Sequence, residues 1–315
     1  MASVTQTAAG TASQPAKRSL GSRIRENFWG YIFVSPWVLL YLVFGLYPFL
    51  LSFYLTFFNY SFVRPEDMAF TGIGNWARGL ADPLFWKSIF NISYNQAVFI
   101  VLKNGLGLLT AVMLSRILFG GKIFRTIYFM PVVTSVVVLI TIGNYLVSPE
   151  GPIQNLMLQS GVIDTPIFWK FDRWLPMPII ALINSWKWFG ISTVIFLAGI
   201  LSIDPGLYEA ASLDGANGWH QFRYITFPQL NPQIFFLLVV DVINGLQMFT
   251  EVFALYDLFG GPQNQALTPV LYIYAQAFDR SNIGFASTLG LQLAVLIAIL
   301  TWLQFRFVQR DVGTR

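Results

Sequence analysis

The chemistry open to this 315-residue chain is limited by what it lacks. It has no cysteine and one histidine, His220. Disulfides, zinc-thiolate sites, thiol catalysis and multi-histidine metal sites are therefore excluded. What remains is a set of polar side chains inside long apolar stretches. They are Lys103, then Thr134 and Ser135, then Asn184-Ser-Trp-Lys-Trp188, then Asp241, Asn244, Gln247, Thr250 and Glu251. Amides make directional hydrogen bonds and aromatic rings stack, so these groups are equipped to bind rather than to react. No acid, base and ligand cluster on one face, and neither a catalytic residue nor a metal site is assigned. The chain also lacks Gly-x-x-x-x-Gly-Lys-Ser/Thr. Gly120-Gly121-Lys122-Ile123 comes nearest and fails at the hydroxyl and at the spacing, so this chain has no phosphate-binding loop for ATP.

The elements that must carry these groups follow from composition. Hydrophobic residues make up 55% of the chain and charged residues 11%, against about 25% charged in a soluble domain. Lipid is the solvent that fits this balance. Six apolar runs are long enough to cross a bilayer: about Trp29–Phe53, Ile89–Leu114, Thr126–Val147, Met177–Ile203, Gln233–Ala254 and Gly284–Phe307. Backbone groups in lipid must bond internally and strand-period alternation is absent, so the expected fold is an all-α polytopic membrane protein with six transmembrane helices. Residues 1–28 read as a flexible N-terminal tail, rich in Ala, Ser and Thr and ending in basic residues, and 29–315 as one membrane domain. The first run is too long for a signal-peptide core and is read as a retained span.

Basic residues set the orientation. With the N-terminus inside, the inner segments hold Lys17, Arg18, Arg23, Arg25, Arg116, Lys122, Arg125, Arg223, Arg306, Arg310 and Arg315, and the outer loops only Arg64, Arg78, Lys87, Lys170, Arg173 and Arg280. Both termini are expected in the cytoplasm. Net charge is +4, and its clustering at particular loops argues topology, not nucleic-acid binding. Trp76, Trp86, Trp169 and Trp174 stand where interface anchors are expected.

The loop after the fourth span is the most legible stretch. Asp204 is a good N-cap and Pro205 suits the first helical position. A short helix should reach about Asp214 and end on a left-handed Gly215. Asn217 should cap a second short helix that Pro228 closes or bends, and Asn231-Pro232 should start the fifth span. The expected product is a helix–turn–helix elbow at the membrane surface.

Glu209-Ala210-Ala211, then Asp214-Gly215-Ala216, then nine residues before Ile225, then Pro228, resembles the EAA signature of permease subunits of ABC importers. Phe227 stands where that signature favours Leu. Phe70-Thr-Gly-Ile-Gly-Asn-Trp76 with Asp82-Pro-Leu-Phe-Trp86, Gly260-Gly-Pro262, and Tyr272-Ile-Tyr-Ala-Gln-Ala-Phe278 with Gly284-Phe-Ala-Ser-Thr288 are similar to the maltose-type carbohydrate branch of that family.

The resemblance implies a type I ABC importer transmembrane domain in a bacterial inner membrane. The elbow would be a coupling helix, with Glu209, Ala210, Ala211, Asp214 and Gly215 as contact and turn residues for a separate ATPase. Implied partners are two copies of that ATPase, which would bind ATP and Mg, a second homologous permease forming the other half of the pathway, and an extracytoplasmic solute-binding protein. This chain itself would hold no cofactor. The implied solute is a sugar, polyol or glycerol 3-phosphate. By position relative to the signature, Asn184, Trp188, Gln247 and Thr250 are expected in the solute pathway, with Glu251 beside them. The alternative for each is a satisfied interhelical hydrogen bond. For Lys103 and Asp241 it is a buried ion pair or a snorkelling lysine. An ion-gradient transporter using Lys103, Asp241 and Glu251 as a relay would leave the elbow signature unexplained.

Overall fold

The computed structural model of the chain describes residues 28–115 and 121–307. All but the last residue of the expected tail, and Arg116, Arg310 and Arg315, lie outside the described residues. The chain falls into two compact units, 1–51 and 52–315.

In the first unit, helix α1 (Phe28–Tyr41) passes through a π-helical segment, Leu42–Leu46, into α2 (Tyr47–Leu55), which runs on past the unit boundary. The sequence FWGYIFVSPWVLLY is apolar all round and none of α1 is buried, the pattern of a helix solvated by lipid.

The second unit holds the core. A small hairpin, β1 (Phe58–Asn59) against β2 (Ala69–Phe70), leads into α3 (Gly74–Ala81). The Asn75 amide donates to the Thr56 and Phe58 carbonyls at 3.0 and 2.9 Å and ties that hairpin down. Helix α4 (Pro83–Ser115) starts six residues before the expected span because Asp82 caps it. Its Oδ1 accepts from the Leu84 and Phe85 amides at 2.8 and 3.0 Å. At 33 residues and about 1.5 Å per residue, α4 exceeds a hydrocarbon core about 30 Å thick.

Two expected spans are not single helices. The third divides into α5 (Gly121–Val133) and α6 (Val136–Val147), followed by α7 (Pro152–Gln159). Pro131 lies near the end of α5, and a proline there removes a helical donor. The fifth divides into α12 (Asn231–Gly245) and α13 (Thr250–Tyr256). The Met248 carbonyl released at that break accepts from Thr268 Oγ1 at 2.7 Å. The fourth span, α8 (Pro176–Leu201), and the last, α15 (Ile283–Phe307), are continuous. Between α8 and α12 lie α9 (Pro205–Leu213), α10 (Gly218–Gln221) and α11 (Phe227–Gln229), and α14 (Pro269–Tyr274) precedes α15. Among the described residues five helices are long and apolar enough to cross a membrane. There are six if the bent pair Gly218–Gln229 and Asn231–Gly245 counts as one.

Helix α8 is the centre of the unit. It packs along α4 for much of its length and also meets α5, α6 and α12. Ile92, Ile140, Ile180, Phe285 and Leu289 are fully enclosed in the main core. Small residues permit the close approaches, as is usual between helices in lipid. A Cβ at Gly190 of α8 would collide with the Tyr128 carbonyl of α5, and one at Gly107 of α4 with Ser192. Trp169 departs from the anchor expectation. It is 1% exposed, enclosed in the core rather than presented to an interface.

Candidate functional site

The elbow forms as its residues dictate. Asp204 Oδ1 accepts from the Gly206 amide at 2.9 Å, and Pro205 opens α9. The helix ends in paired bonds from the Gly215 amide to the Ser212 carbonyl, 3.1 Å, and from the Ala216 amide to the Ala211 carbonyl, 2.9 Å. That closure requires a left-handed residue between them, and Gly215 has φ +81°. Asn217 Oδ1 caps α10 from the His220 amide at 3.0 Å and also meets the His220 ring nitrogen at 2.8 Å. His220 thus serves its own helix cap.

From α10 the chain continues through a π-helical segment, Phe222–Thr226, into α11, and turns 59° into α12. Two side-chain bonds fasten the arms together. The hydroxyls of Tyr208 and Thr226 lie 2.9 Å apart, and Gln221 Nε2 donates to Ser212 Oγ at 2.9 Å. Glu209, Ala210, Asp214 and Gly215 are exposed and Ala211 is half-buried, so the signature residues stand on the outside of the elbow. Leu213 beside them is 90% exposed, an apolar side chain with nothing over it among the described residues.

The second feature is a cavity of about 590 Å³ between α4, α8 and α12–α13. Asn184 and Trp188 line it from α8, Gln247 from the break after α12, and Thr250 and Glu251 from the start of α13. All five expected pathway residues therefore share one space. The Asn184 amide donates to Glu251 Oε1 at 3.2 Å. Gln247 Nε2 donates to the Ile243 carbonyl one turn back, at 2.9 Å.

The cavity also recruits residues outside that set. Asn244 lines it, and its spacing of three from both Asp241 and Gln247 was the sequence signal for a shared helix face. Gln96 of α4 lines it too. Its signal was the polar run Asn91, Asn95 and Gln96 within an apolar helix. Met248 and Phe249 pack in the core, and both also line the cavity. Phe249 stacks on Phe253 at 5.2 Å and tilts against Tyr274 at 5.1 Å.

Lys103 and Asp241 form a buried ion pair at one wall of the cavity. Asp241 Oδ2 also accepts from Asn104 Nδ2 at 2.9 Å, and Asn104 Oδ1 accepts from Ser192 Oγ at 2.8 Å. Both carboxylate oxygens are thus occupied, as a buried charge requires. Lys187 is 2% exposed, and its ammonium sits 5.1 Å from the Trp188 ring centroid at the break between α5 and α6. There its ammonium donates to the carbonyls of Pro131, Val132 and Thr134.

A cavity with amides and carboxyl groups set in a largely apolar wall, between spans that an elbow joins, defines a polytopic helical solute permease. Residues 103–311 match the family of binding-protein-dependent transport system inner membrane components. The chain belongs to that family, and its role is transport across a membrane rather than catalysis. Among its relatives, the lactose transport system permease protein LacF of Rhizobium radiobacter is 34% identical over 88% of this chain and 92% of its own. The arabinooligosaccharides transport system permease protein AraP of Halalkalibacterium halodurans is 30% identical over 86% and 84%. In the crystal structure of a bacterial alginate ABC transporter with its pentasaccharide-bound periplasmic protein, one chain superposes with a TM-score of 0.79. The identity there is 23%, and the match covers 94% of this chain and 99% of that one. The fold is accordingly that of a type I ABC importer transmembrane domain.

Proposed function

We propose that this chain forms half of the translocation pathway for a saccharide in an ATP-driven importer. In that reading it couples the pathway to a separate ATPase through residues 204–228. One observation carries the proposal. The cavity lies on α8 and α12, the two helices that enter and leave the elbow. A push on the elbow has a short path to the cavity walls, because only Ser202–Asp204 separate α8 from α9 and only Leu230 separates α11 from α12.

Glu209 and Asp214 then supply charges for partner hydrogen bonds, Ala210 and Ala211 allow close approach, and Gly215 supplies the reversal. Asn184, Trp188, Gln247, Thr250 and Glu251 contact the solute. The relatives named for lactose and arabinooligosaccharides support a saccharide cargo. The other half of the pathway belongs to a homologous permease. Two ATPase copies carry ATP and Mg, a solute-binding protein delivers the cargo, and both termini face the cytoplasm.

The test is uptake of labelled lactose, arabinotriose and cellobiose into proteoliposomes holding the assembled importer and its binding protein. Uptake that needs ATP and survives collapse of ion gradients is the expected result. Uptake driven by a gradient with no ATPase present would overturn the proposal.

A further inference from the structure

The hydrogen-bond balance of the cavity, taken with the saccharide reading above, narrows the class of solute. Two residues of its wall, Asn184 and Gln96, each carry an amide oxygen, Oδ1 and Oε1, that is enclosed and has no donor among the described residues. Their amide orientations are fixed by their neighbours. Asn184 Nδ2 must face Glu251 Oε1, which it meets at 3.2 Å. Gln96 Nε2 must face Asn95 Oδ1 at 3.2 Å, because the Asn95 amide is itself committed to the Met177 carbonyl at 2.7 Å. The unsatisfied atoms are therefore acceptors, and a buried acceptor left without a donor is costly.

The charged groups point the same way. Lys103 is committed to Asp241, and the ammonium of Lys187 to the carbonyls beside Pro131. Among the described residues, Lys103 is the one lysine or arginine that lines the cavity. Two carboxyl groups, Asp241 and Glu251, do line it. The donors left to face a ligand are neutral: the Asn244 amide, the Thr250 hydroxyl and the Trp188 indole.

We infer that this half of the pathway takes an uncharged, hydroxyl-rich saccharide and discriminates against acidic saccharides and sugar phosphates, with Glu251 as the specificity-determining residue. Hydroxyl groups can donate to the Glu251 carboxyl beside its bond from the Asn184 amide, and to Asn184 Oδ1 and Gln96 Oε1 once the solute parts the side chains enclosing them. A uronate or phosphate brings further acceptors to a wall already rich in them, and finds no uncommitted cation among the described residues to receive its charge.

The experiment is equilibrium dialysis of the assembled importer, without its binding protein, against labelled lactose, arabinotriose, cellobiose, digalacturonate and glucose 6-phosphate. At least one neutral sugar should be held at least tenfold more tightly than either anion. Glu251→Gln, which keeps the shape and replaces the carboxyl group by a neutral amide, should narrow that ratio at least threefold. Digalacturonate or glucose 6-phosphate held as tightly as the best neutral sugar by the unaltered importer would overturn the inference and leave saccharide transport standing. An unchanged ratio in Glu251→Gln would overturn the role given to Glu251. Retention of none of the five would remove the saccharide reading itself, and this inference with it.

Discussion

Lys103 of α4 and Asp241 of α12 meet as an ion pair 5–6% exposed, at the wall of the cavity. It joins one of the helices leaving the elbow to the long second span. Breaking one partner leaves an uncompensated charge in a low-dielectric site, which costs about 3–5 kcal/mol, while replacing both together is far milder. Lys103→Met alone and Asp241→Leu alone should therefore each lower the thermal midpoint of the detergent-solubilised protein strongly. The double replacement should recover most of the loss. A double variant as unstable as the sum of the singles would show that the pair is not a unit.

Lys187 is tied to the backbone rather than to a carboxylate. Its ammonium holds three carbonyls where α5 gives way to α6, at a helix C-terminus that favours a cation. Lys187→Met keeps the apolar stem and strands those carbonyls. Each buried polar group left unpaired costs about 1–3 kcal/mol. The expected outcome is faster hydrogen exchange at residues 128–139, centred on the break, together with a lower thermal midpoint. Unaltered exchange there would deny Lys187 this role.

These two lysines also mark what the sequence could and could not reveal. The caps and the turn of the elbow were legible because their causes are local, whereas Pro228 does not close the second arm but lies inside α11, ahead of the bend at Leu230. Asp204 and Asn217 cap helices that begin within three residues of them, and Gly215 reverses the chain where it stands. The breaks at 134–135 and 246–249 were not legible, because what stabilises them comes from elsewhere in the chain. Lys187 lies 53 residues from Thr134, and Thr268 lies 20 from Met248. Hydropathy counts apolar residues and passes over such breaks. Asn184 and Gln247 were found as polar residues in apolar spans. Asn244 carried the same signal, and Gln96 could be joined to them only by the packing of α4. Trp169 looked like an anchor because a loop edge in sequence gives no sign of being folded inward.

Helix contact in lipid depends on small residues, so glycines of the same type should behave in opposite ways. A Cβ at Gly190 would collide with the Tyr128 carbonyl, whereas one at Gly105 of α4 meets nothing within 4 Å. Gly190→Ala should force α5 and α8 apart, at about 1–3 kcal/mol for an overpacked contact. Gly105→Ala should be neutral or stabilising by about 0.5–1 kcal/mol, since it removes a helix-interior glycine. Thermal midpoints of the two variants, measured side by side, check this. Equal effects would mean that the close approach at Gly190 does not matter.

Gly215 tests the elbow. At φ +81° it lies in the left-handed region, and its Cβ position is open, with nothing within 4 Å. A side chain there meets no clash, so a substitution acts through backbone strain alone, about 1–2 kcal/mol for an ordinary L-residue. A β-branched residue suffers most and asparagine least, because asparagine visits the left-handed region readily. Gly215→Val should insert and fold normally, since the elbow carries little of the core, yet shift Asp214 and Ala216 out of register. Under the coupling proposal, the reconstituted importer should keep basal ATP hydrolysis while uptake of labelled saccharide falls at least tenfold. Gly215→Asn should retain most of that uptake. If valine and asparagine variants transport equally well, the left-handed turn is not what transmits force. If both fail equally with hydrolysis also lost, residue 215 acts in docking the ATPase rather than in shaping the turn.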